Sequence, residues 1–302
     1  MKFKRLLLAA TFLLSVNLVF SQAPYQFINP DDSDFSESCT SIVVGKGAST
    51  DGSVMTAHTC DSNYRTWLEI FGRKTFKPGD TEPVLWGTLH NEEPYDMRNV
   101  TEKGRIPAVE KTFAYLNTAY PCMNEKQLAI GETTIVGRRE LVNDKGLFLI
   151  EELERIALQR CSTAVDAVRL IGKLAEEYGY GDSGECLTIA DKKEVWQLEI
   201  FGSGPGKPSA IWVAQRIPDD HVGISANIPR ISKVDFNDPA NFLYSTDIKE
   251  RCKKLGFWNG KDDFIFWKIN NGSKPFAIRD FFVLSSLAPS LNLKFEIGRA
   301  HV

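Results

Sequence analysis

Short runs of alternating apolar and polar residues dominate the chain from residue 39 onward. Two β-branched runs separated by a Gly-rich segment predict a β-hairpin, with strands at 40–44 and 54–59 and a turn at 45–53. The same pattern predicts further strands at 66–74, within 124–137, and at 186–191, 194–202, 210–217 and 221–227.

One stretch has helical periodicity instead. Between Thr163 and Tyr178 the apolar residues recur three or four positions apart, and Ser162 or Thr163 is suited to the N-cap. Because hairpins dominate and helices come in blocks, we expect an α+β fold with largely antiparallel sheets and helices packed on one face.

The N-terminus has a different pattern. Lys2, Lys4 and Arg5 precede an apolar run at 6–20, which small residues follow. This order is typical of a secretory signal peptide, so we expect a signal peptide at 1–21 and a secreted or periplasmic protein. The apolar run is too short to span a bilayer comfortably, so we expect no stable membrane anchor.

Two further segments are expected to lie outside the folded domain. Residues 22–38 are polar, acidic and without periodicity, which is typical of a leader or propeptide. Residues 296–302, EIGRAHV, break from the preceding pattern and resemble the translation of a common sequencing adapter. We therefore expect this tail to be non-native and the domain before it to be truncated.

Charge and composition exclude several classes of function. Loss of the three basic residues in 1–21 would change the net charge from −3 to −6, whereas nucleic-acid binding requires a basic face. The four histidines and six cysteines are scattered, without the spacing of a zinc site. The sequence therefore predicts no nucleic-acid partner and no metal centre.

Cys39 begins the predicted hairpin, directly after the segment 36–38, and the residues leave four interpretations. It lies too far from the apolar run to be a lipoprotein anchor. A disulfide half is common in exported proteins, and a buried free thiol is equally compatible with its position. The fourth interpretation is a nucleophile that cleavage before Cys39 would expose.

A nucleophile at a new N-terminus would need no histidine beside it. Cleavage between Ser38 and Cys39 would place a thiol and an α-amine on one residue. The amine has a pKa of about 8, so part of it is neutral at physiological pH and can accept the proton of the thiol. This chemistry suits a chain with only four histidines.

Several long blocks resemble one known family. Residues 39–63 resemble the start of the mature enzyme in the PepD-type dipeptidases, which are N-terminal-nucleophile (Ntn) cysteine hydrolases. Further matches lie at 124–141, 178–206 and 212–231, so the resemblance covers most of 39–295. It implies an Ntn-hydrolase four-layer αββα sandwich, related in fold to bile salt hydrolases and penicillin V acylases.

The resemblance also implies roles for individual residues. Cys39 corresponds to the nucleophile, and Asp61 to the acid that orients the new amine, although an Asp here could also cap a turn. Asn227 corresponds to an oxyanion-hole donor, with a simple Asn-Ile-Pro turn as the alternative.

Three further positions depart from the family pattern or match it only by spacing. His58 stands where the acylases have Arg, and it could help hold the thiolate or only shape the pocket. Thr134 occupies the position of a second oxyanion-contacting Asn. Arg279 follows Asn227 at the spacing of the last catalytic Arg, and a surface ion pair is its alternative.

The resemblance implies a cysteine dipeptidase that needs no cofactor and acts on small peptides outside the cytoplasm. Two alternatives remain open from the sequence. One is an amidase of the same fold that acts on acylated amino acids or conjugated amides. The other is a disulfide-stabilised binding protein in which Cys39 is paired. A homo-oligomer is compatible with the sequence.

Overall fold

The structure, a computed structural model, describes residues 38–61, 64–65, 67–89, 97–271 and 277–293. The predicted signal peptide, the predicted leader apart from Ser38, and the predicted tail at 296–302 lie outside these residues. Within the described part of the chain, no helix is both long enough and apolar enough to cross a membrane.

Strands supply most of the regular structure, and every strand pair is antiparallel. In chain order the strands are β1 (Ser38–Val44), β2 (Met55–Asp61), β3 (Glu69–Phe71), β4 (Thr81–Trp86), β5 (Thr101–Pro107), β6 (Tyr115–Asn117), β7 (Pro121–Asn124), β8 (Ala129–Val136), β9 (Gly184–Ala190), β10 (Val195–Gly202), β11 (Ala210–Arg216), β12 (Val222–Ser225) and β13 (Phe242–Tyr244).

The helices fall in two blocks, one between β8 and β9 and the other after β13. They are α1 (Ile150–Arg160), α2 (Ala164–Tyr178), α3 (Ile248–Lys254), α4 (Phe266–Asn271) and α5 (Ile278–Leu287), with short 3-10 turns at Arg139–Leu141 and Pro289–Leu291.

Two sheets form the centre of the molecule. The small sheet has the order β12-β1-β2, and the large sheet has the order β13-β11-β10-β9-β8-β7-β6-β3. Helices α1 and α2 pack on one face of the large sheet, the small sheet packs on its other face, and α5 contacts β12. The layers therefore run helix, sheet, sheet, helix, which confirms the predicted α+β fold.

The seam between the two sheets is lined with hydroxyl groups. Thr56 on β2 and Thr188 on β9 are joined by a hydrogen bond of 2.8 Å, and Thr133 on β8 and Ser225 on β12 by one of 2.6 Å. Buried hydroxyls are tolerated when they are hydrogen-bonded in this way. These bonds fix the small sheet, and with it β1, over the middle of the large sheet.

The predicted hairpin and helix are both present. β1 and β2 pair in the expected hairpin, and α2 begins after Thr163, whose side chain accepts a hydrogen bond from the Asp166 N–H. The strand predicted at 66–74 is much shorter, Glu69–Phe71, because among the described residues it pairs only with the three residues of β6.

Candidate active site

Cys39 is the second residue of β1, the central strand of the small sheet. Along β1 the residues Cys39, Ser41 and Val43 are buried and alternate with more exposed neighbours, as the two faces of a strand require. The Cys39 side chain is only 2% exposed. The thiol therefore lies in the interior, at the end of the sheet.

Two neighbouring strands position groups beside Cys39. On one side, the β1–β2 register places Cys60 directly opposite Cys39, with the two Sγ atoms 3.4 Å apart. On the other side, the β1–β12 register pairs Ser41 with Ser225, so the chain just beyond β12 runs alongside Cys39.

Asn227 occupies that position beyond β12. Its backbone has φ of 60°, in the left-handed region that Asn tolerates better than most residues. The side-chain Oδ1 accepts a hydrogen bond of 2.8 Å from the backbone nitrogen of Cys39, and Nδ2 donates one of 2.7 Å to the Thr134 carbonyl oxygen. Asn227 thus holds the nitrogen that cleavage would convert to an amine.

Arg279, near the start of α5, reaches the same place from the outer helix layer. Its guanidinium donates hydrogen bonds to the Cys39 carbonyl oxygen, to Thr40 Oγ1 (2.6 Å), to Asn227 Oδ1 (2.8 Å) and to the Ala226 carbonyl oxygen (3.3 Å). One side chain therefore ties α5, the end of β1 and the turn after β12 together.

A buried carboxyl group completes the surroundings of the thiol. Glu132 on β8 is fully buried, and its Oε1 lies 3.7 Å from Cys39 Sγ and 3.5 Å from Cys60 Sγ. Burial raises the pKa of Glu132. The hydrogen bond with Cys39, burial and the nearby Glu132 raise the pKa of Cys60, so Cys60 stays a protonated thiol.

His58 lies two residues before Cys60 on β2, on the same inward face, opposite Ser41. Its ring packs against Gly131, where an added Cβ would come within 2.9 Å of Nδ1. Burial lowers the pKa of His58, because charging a ring away from water is costly. A neutral imidazole is therefore expected here at neutral pH, which gives no support to His58 as a cation that holds the thiolate.

Asp61 and Thr134 lie at the edges of this group. Asp61 is exposed at the end of β2 and pairs with Ser38, the residue before the predicted cleavage point. Thr134 is half-buried on β8 and contributes its carbonyl oxygen to Asn227. The structure thus brings Cys39, Asn227, Arg279 and Thr134 together, whereas the Asp61 side chain is on the opposite face of β2 from Cys60.

Cys60 and Glu132 were not predicted as site residues. Both lie within segments that the sequence singles out, 58–61 and 124–137, but their contact with Cys39 depends on strand register and sheet packing. The one signal in the sequence is an acid in the middle of the strand-like segment 124–137, where acids are seldom fully buried.

The cysteines and Glu132 also bear on metal binding and on disulfide formation. Cys39, Cys60 and Glu132 offer ligand atoms that lie within 4.8 Å of one another, a spacing that could hold a thiophilic metal ion. None of the six cysteines, all of which belong to the described residues, forms a disulfide. Cys39 is therefore a free thiol in this structure.

Comparison with known proteins identifies relatives. Residues 38–286 match the family described as Peptidase family C69. The chain is 29% identical to Dipeptidase A of Lactobacillus helveticus over 223 residues, which cover 70% of this chain and 45% of that protein. It is 29% identical over 227 residues to a protein of Latilactobacillus sakei named "Probable dipeptidase", covering 70% of this chain and 44% of that protein. The chain thus spans less than half the length of these relatives.

Proposed function

The chain belongs to peptidase family C69, and from this premise we propose that it is an exported cysteine dipeptidase whose nucleophile is Cys39. The observation that carries the proposal is the set of contacts at one residue. Cys39 has a free, buried thiol, and its backbone nitrogen is already hydrogen-bonded to Asn227, 2.8 Å away. Cleavage before Cys39 would leave the new amine in that position.

The first step is cleavage of the Ser38–Cys39 peptide bond. The Cys39 thiolate attacks the Ser38 carbonyl carbon, the C–N bond breaks, and a thioester forms while the Cys39 nitrogen becomes a free amine. Water then hydrolyses the thioester to a Ser38 carboxylate and returns the thiol. A protease acting in trans would give the same mature N-terminus.

The mature enzyme repeats this chemistry on a dipeptide. The α-amine of Cys39 accepts the thiol proton, the thiolate attacks the scissile carbonyl, and the proton passes to the departing amine. Water, deprotonated by the same amine, then hydrolyses the acyl thioester. The thiol proton thus leaves with the product amine, and the proton taken from water restores the thiol, so the cycle balances without a cofactor.

The surrounding residues receive roles on this basis. Asn227 and Arg279 hold the amine and the first peptide unit of the mature chain in place. Asn227 Nδ2 is assigned to the oxyanion by the family resemblance, which requires it to exchange its bond to the Thr134 carbonyl for one to substrate. Asp61 pairs with Ser38 across β1 and β2, so after cleavage it would lie next to the end of β1 at which the new amine forms.

Two rival functions fit these observations less well. A binding protein stabilised by a disulfide at Cys39 is not supported, because Cys39 is a free thiol. An amidase acting on conjugated amides would use the same nucleophile. The relatives named above as dipeptidases favour peptide substrates over that alternative.

The decisive experiment replaces the nucleophile. The protein expressed from its full-length gene is expected to begin at Cys39 and to hydrolyse alanyl-alanine. Cys39→Ala and Cys39→Ser should keep the leader and lose hydrolysis to below detection, because no thiolate remains to attack either bond. N-terminal sequencing reads the processing, and ninhydrin assay of released alanine reads the activity.

Cys122→Ala is the matched control, since Cys122 is a half-buried thiol on β7 and is expected to be dispensable. This variant should be processed and active. Full dipeptide hydrolysis by Cys39→Ala would overturn the proposed function.

A further inference from the structure

A cluster of buried acids lies beside the thiol and has no role in the proton transfers described above. Glu132, Glu151, Glu154 and Glu185 are each at most 3% exposed. Each has at least one carboxylate oxygen without a hydrogen-bond partner among the described residues. Such groups are costly unless they are protonated or matched by a positive charge.

Several other buried acids of this protein are paired with arginines. Glu69 is bound by Arg65, Glu82 by both Arg155 and Arg160, and Glu152 by Arg155. Among the residues that the structure describes, no lysine or arginine forms an ion pair with the four clustered glutamates. Within the described part of the chain Glu199 also lacks an ion-pair partner, but its Oε1 accepts hydrogen bonds from two backbone N–H groups of one segment, whereas the four clustered glutamates include the acid next to Cys39.

Part of the cluster faces a cavity. A cavity of about 270 Å³ is lined by Glu151, Asp182 and Glu185, together with Thr134 and Tyr120. Glu185 is 3% exposed, and its Oε2 has no hydrogen-bond partner among the described residues although the side chain lines this space. Glu185 pairs across the sheet with Thr134, whose carbonyl oxygen binds Asn227.

Distances connect the cluster to the reacting carbonyl. In a dipeptide, the α-nitrogen and the scissile carbonyl carbon are separated by about 2.5 Å, since both are bonded to the same Cα. A thiolate attacks from about 3–3.5 Å. The ammonium must then lie within roughly 6 Å of Cys39 Sγ, and Glu132 Oε1 lies 3.7 Å from that sulfur.

The geometry points to the acidic pocket, which is lined by Glu151, Asp182 and Glu185 and has Glu132 buried nearby beside the Cys39 thiol, as the binding site for the free α-ammonium group of the substrate. This inference rests on the proposed function and assigns the residues that recognise the unblocked N-terminus of a dipeptide. The volume of the cavity is consistent with a substrate as small as a dipeptide, because it falls below the range of about 300–1,000 Å³ that is usual for drug-sized ligands.

The pocket also gives substrate binding an effect on the nucleophile. A carboxylate at Glu132 would repel a thiolate on Cys39, since two like charges would then share a buried site. An ammonium bound between the acids cancels that repulsion. A substrate with a free amine therefore favours the reactive form of the thiol, whereas an N-acylated substrate does not.

The test measures binding separately from turnover. The probe is the ketomethylene analogue of alanyl-alanine, in which CH₂ replaces the scissile NH, with its N-acetyl derivative for comparison. Isothermal titration calorimetry with the processed wild-type protein should give roughly tenfold to hundredfold weaker binding after acetylation, the effect of losing hydrogen bonds to a charged group. This comparison needs no variant, so it does not depend on how a substitution folds.

Glu185→Gln should weaken binding of the free-amine analogue by a similar factor and leave binding of the acetylated analogue unchanged. Glu154→Gln is the matched control: Glu154 is equally buried and unpaired but does not line the cavity, so binding should not change.

The outcomes separate this inference from the proposed function. Equal binding of the two analogues to the wild-type protein overturns the ammonium site, even if alanyl-alanine is hydrolysed. Selective binding of the free-amine analogue without any hydrolysis of alanyl-alanine supports the ammonium site and contradicts the dipeptidase.

Discussion

At the scale of single residues, the site depends on few side chains that each make several contacts. Asn227 uses both ends of its amide, one on the Cys39 nitrogen and one on the Thr134 carbonyl oxygen. Arg279 spans four acceptors on β1 and on the turn after β12. A planar guanidinium can meet several acceptors at once, which a lysine ammonium on its flexible stem does less well.

Arg279→Lys tests whether this multiple contact matters. The variant keeps the positive charge but is expected to lose most of the bonds, so the amine and the first peptide unit are held less firmly. We expect kcat on alanyl-alanine to fall roughly tenfold to hundredfold, the effect of losing charged hydrogen bonds, while KM changes little. The rate of leader removal, followed by gel electrophoresis, should fall as well.

Arg169→Lys serves as the control, because Arg169 is exposed on α2 and lies 3.9 Å from its only described ion-pair partner, Asp166. It should process and turn over like the wild type. If Arg279→Lys did the same, a single positive charge would suffice and the proposed role of the guanidinium would be wrong.

At the scale of secondary-structure elements, the sequence predicts what its periodicity encodes. The hairpin of β1 and β2, the strands β9 to β11 and helix α2 all follow from local pattern. Helix α1 does not, because Glu151, Glu152 and Glu154 are buried and blur the polar and apolar faces. Helix α1 is therefore missed in the sequence because its acids are buried, where a helical pattern would predict apolar residues.

The packing of α2 on the large sheet gives the prediction at this scale. Gly172 lies against the ring of Trp212 on β11, and an added Cβ would come within 2.1 Å of the ring. Gly172→Ala should therefore push α2 off the sheet and destabilise the protein by roughly 1–3 kcal/mol, as overpacking in a core usually does. The midpoint of urea unfolding measures this loss.

Lys173→Ala is the matched control on the same helix, because Lys173 is exposed and its replacement by Ala costs no helix propensity. An unfolding midpoint for Gly172→Ala at or above that of Lys173→Ala would contradict the close contact between α2 and β11.

At the scale of the whole molecule, the sequence places Cys39, Asn227 and Arg279 through resemblance but does not give the contacts between layers. Cys60 reaches Cys39 through strand register, and Glu132 through the packing of one sheet on the other. No local pattern specifies which faces meet across a sandwich. The same packing buries polar groups between the layers, and Glu199 on β10 is one of them.

Glu199 links the sheet to the segment that follows Asn227. It is fully buried, and its Oε1 accepts hydrogen bonds from the backbone N–H groups of Arg230 and Ile231. Burial raises the pKa of Glu199 to about 7, against 4.5 for an ordinary glutamate. The folded state therefore keeps a proton that the unfolded chain releases near pH 4.5, and this contribution to stability is lost as the pH rises from 4.5 to 7.

The other buried acids with raised pKa values also make the folded protein less stable as the pH rises. Glu199→Gln isolates the contribution of Glu199 alone. The amide keeps the Oε1 acceptor and stays neutral at every pH, as the protonated carboxyl does. We expect the variant to exceed the wild type by less than about 1 kcal/mol at pH 5 and by roughly 3 kcal/mol at pH 8, measured by urea unfolding. Glu177→Gln, at an exposed position on α2, should match the wild type at both pH values. An equal difference between Glu199→Gln and the wild type at pH 5 and pH 8 would show that Glu199 does not carry the proton.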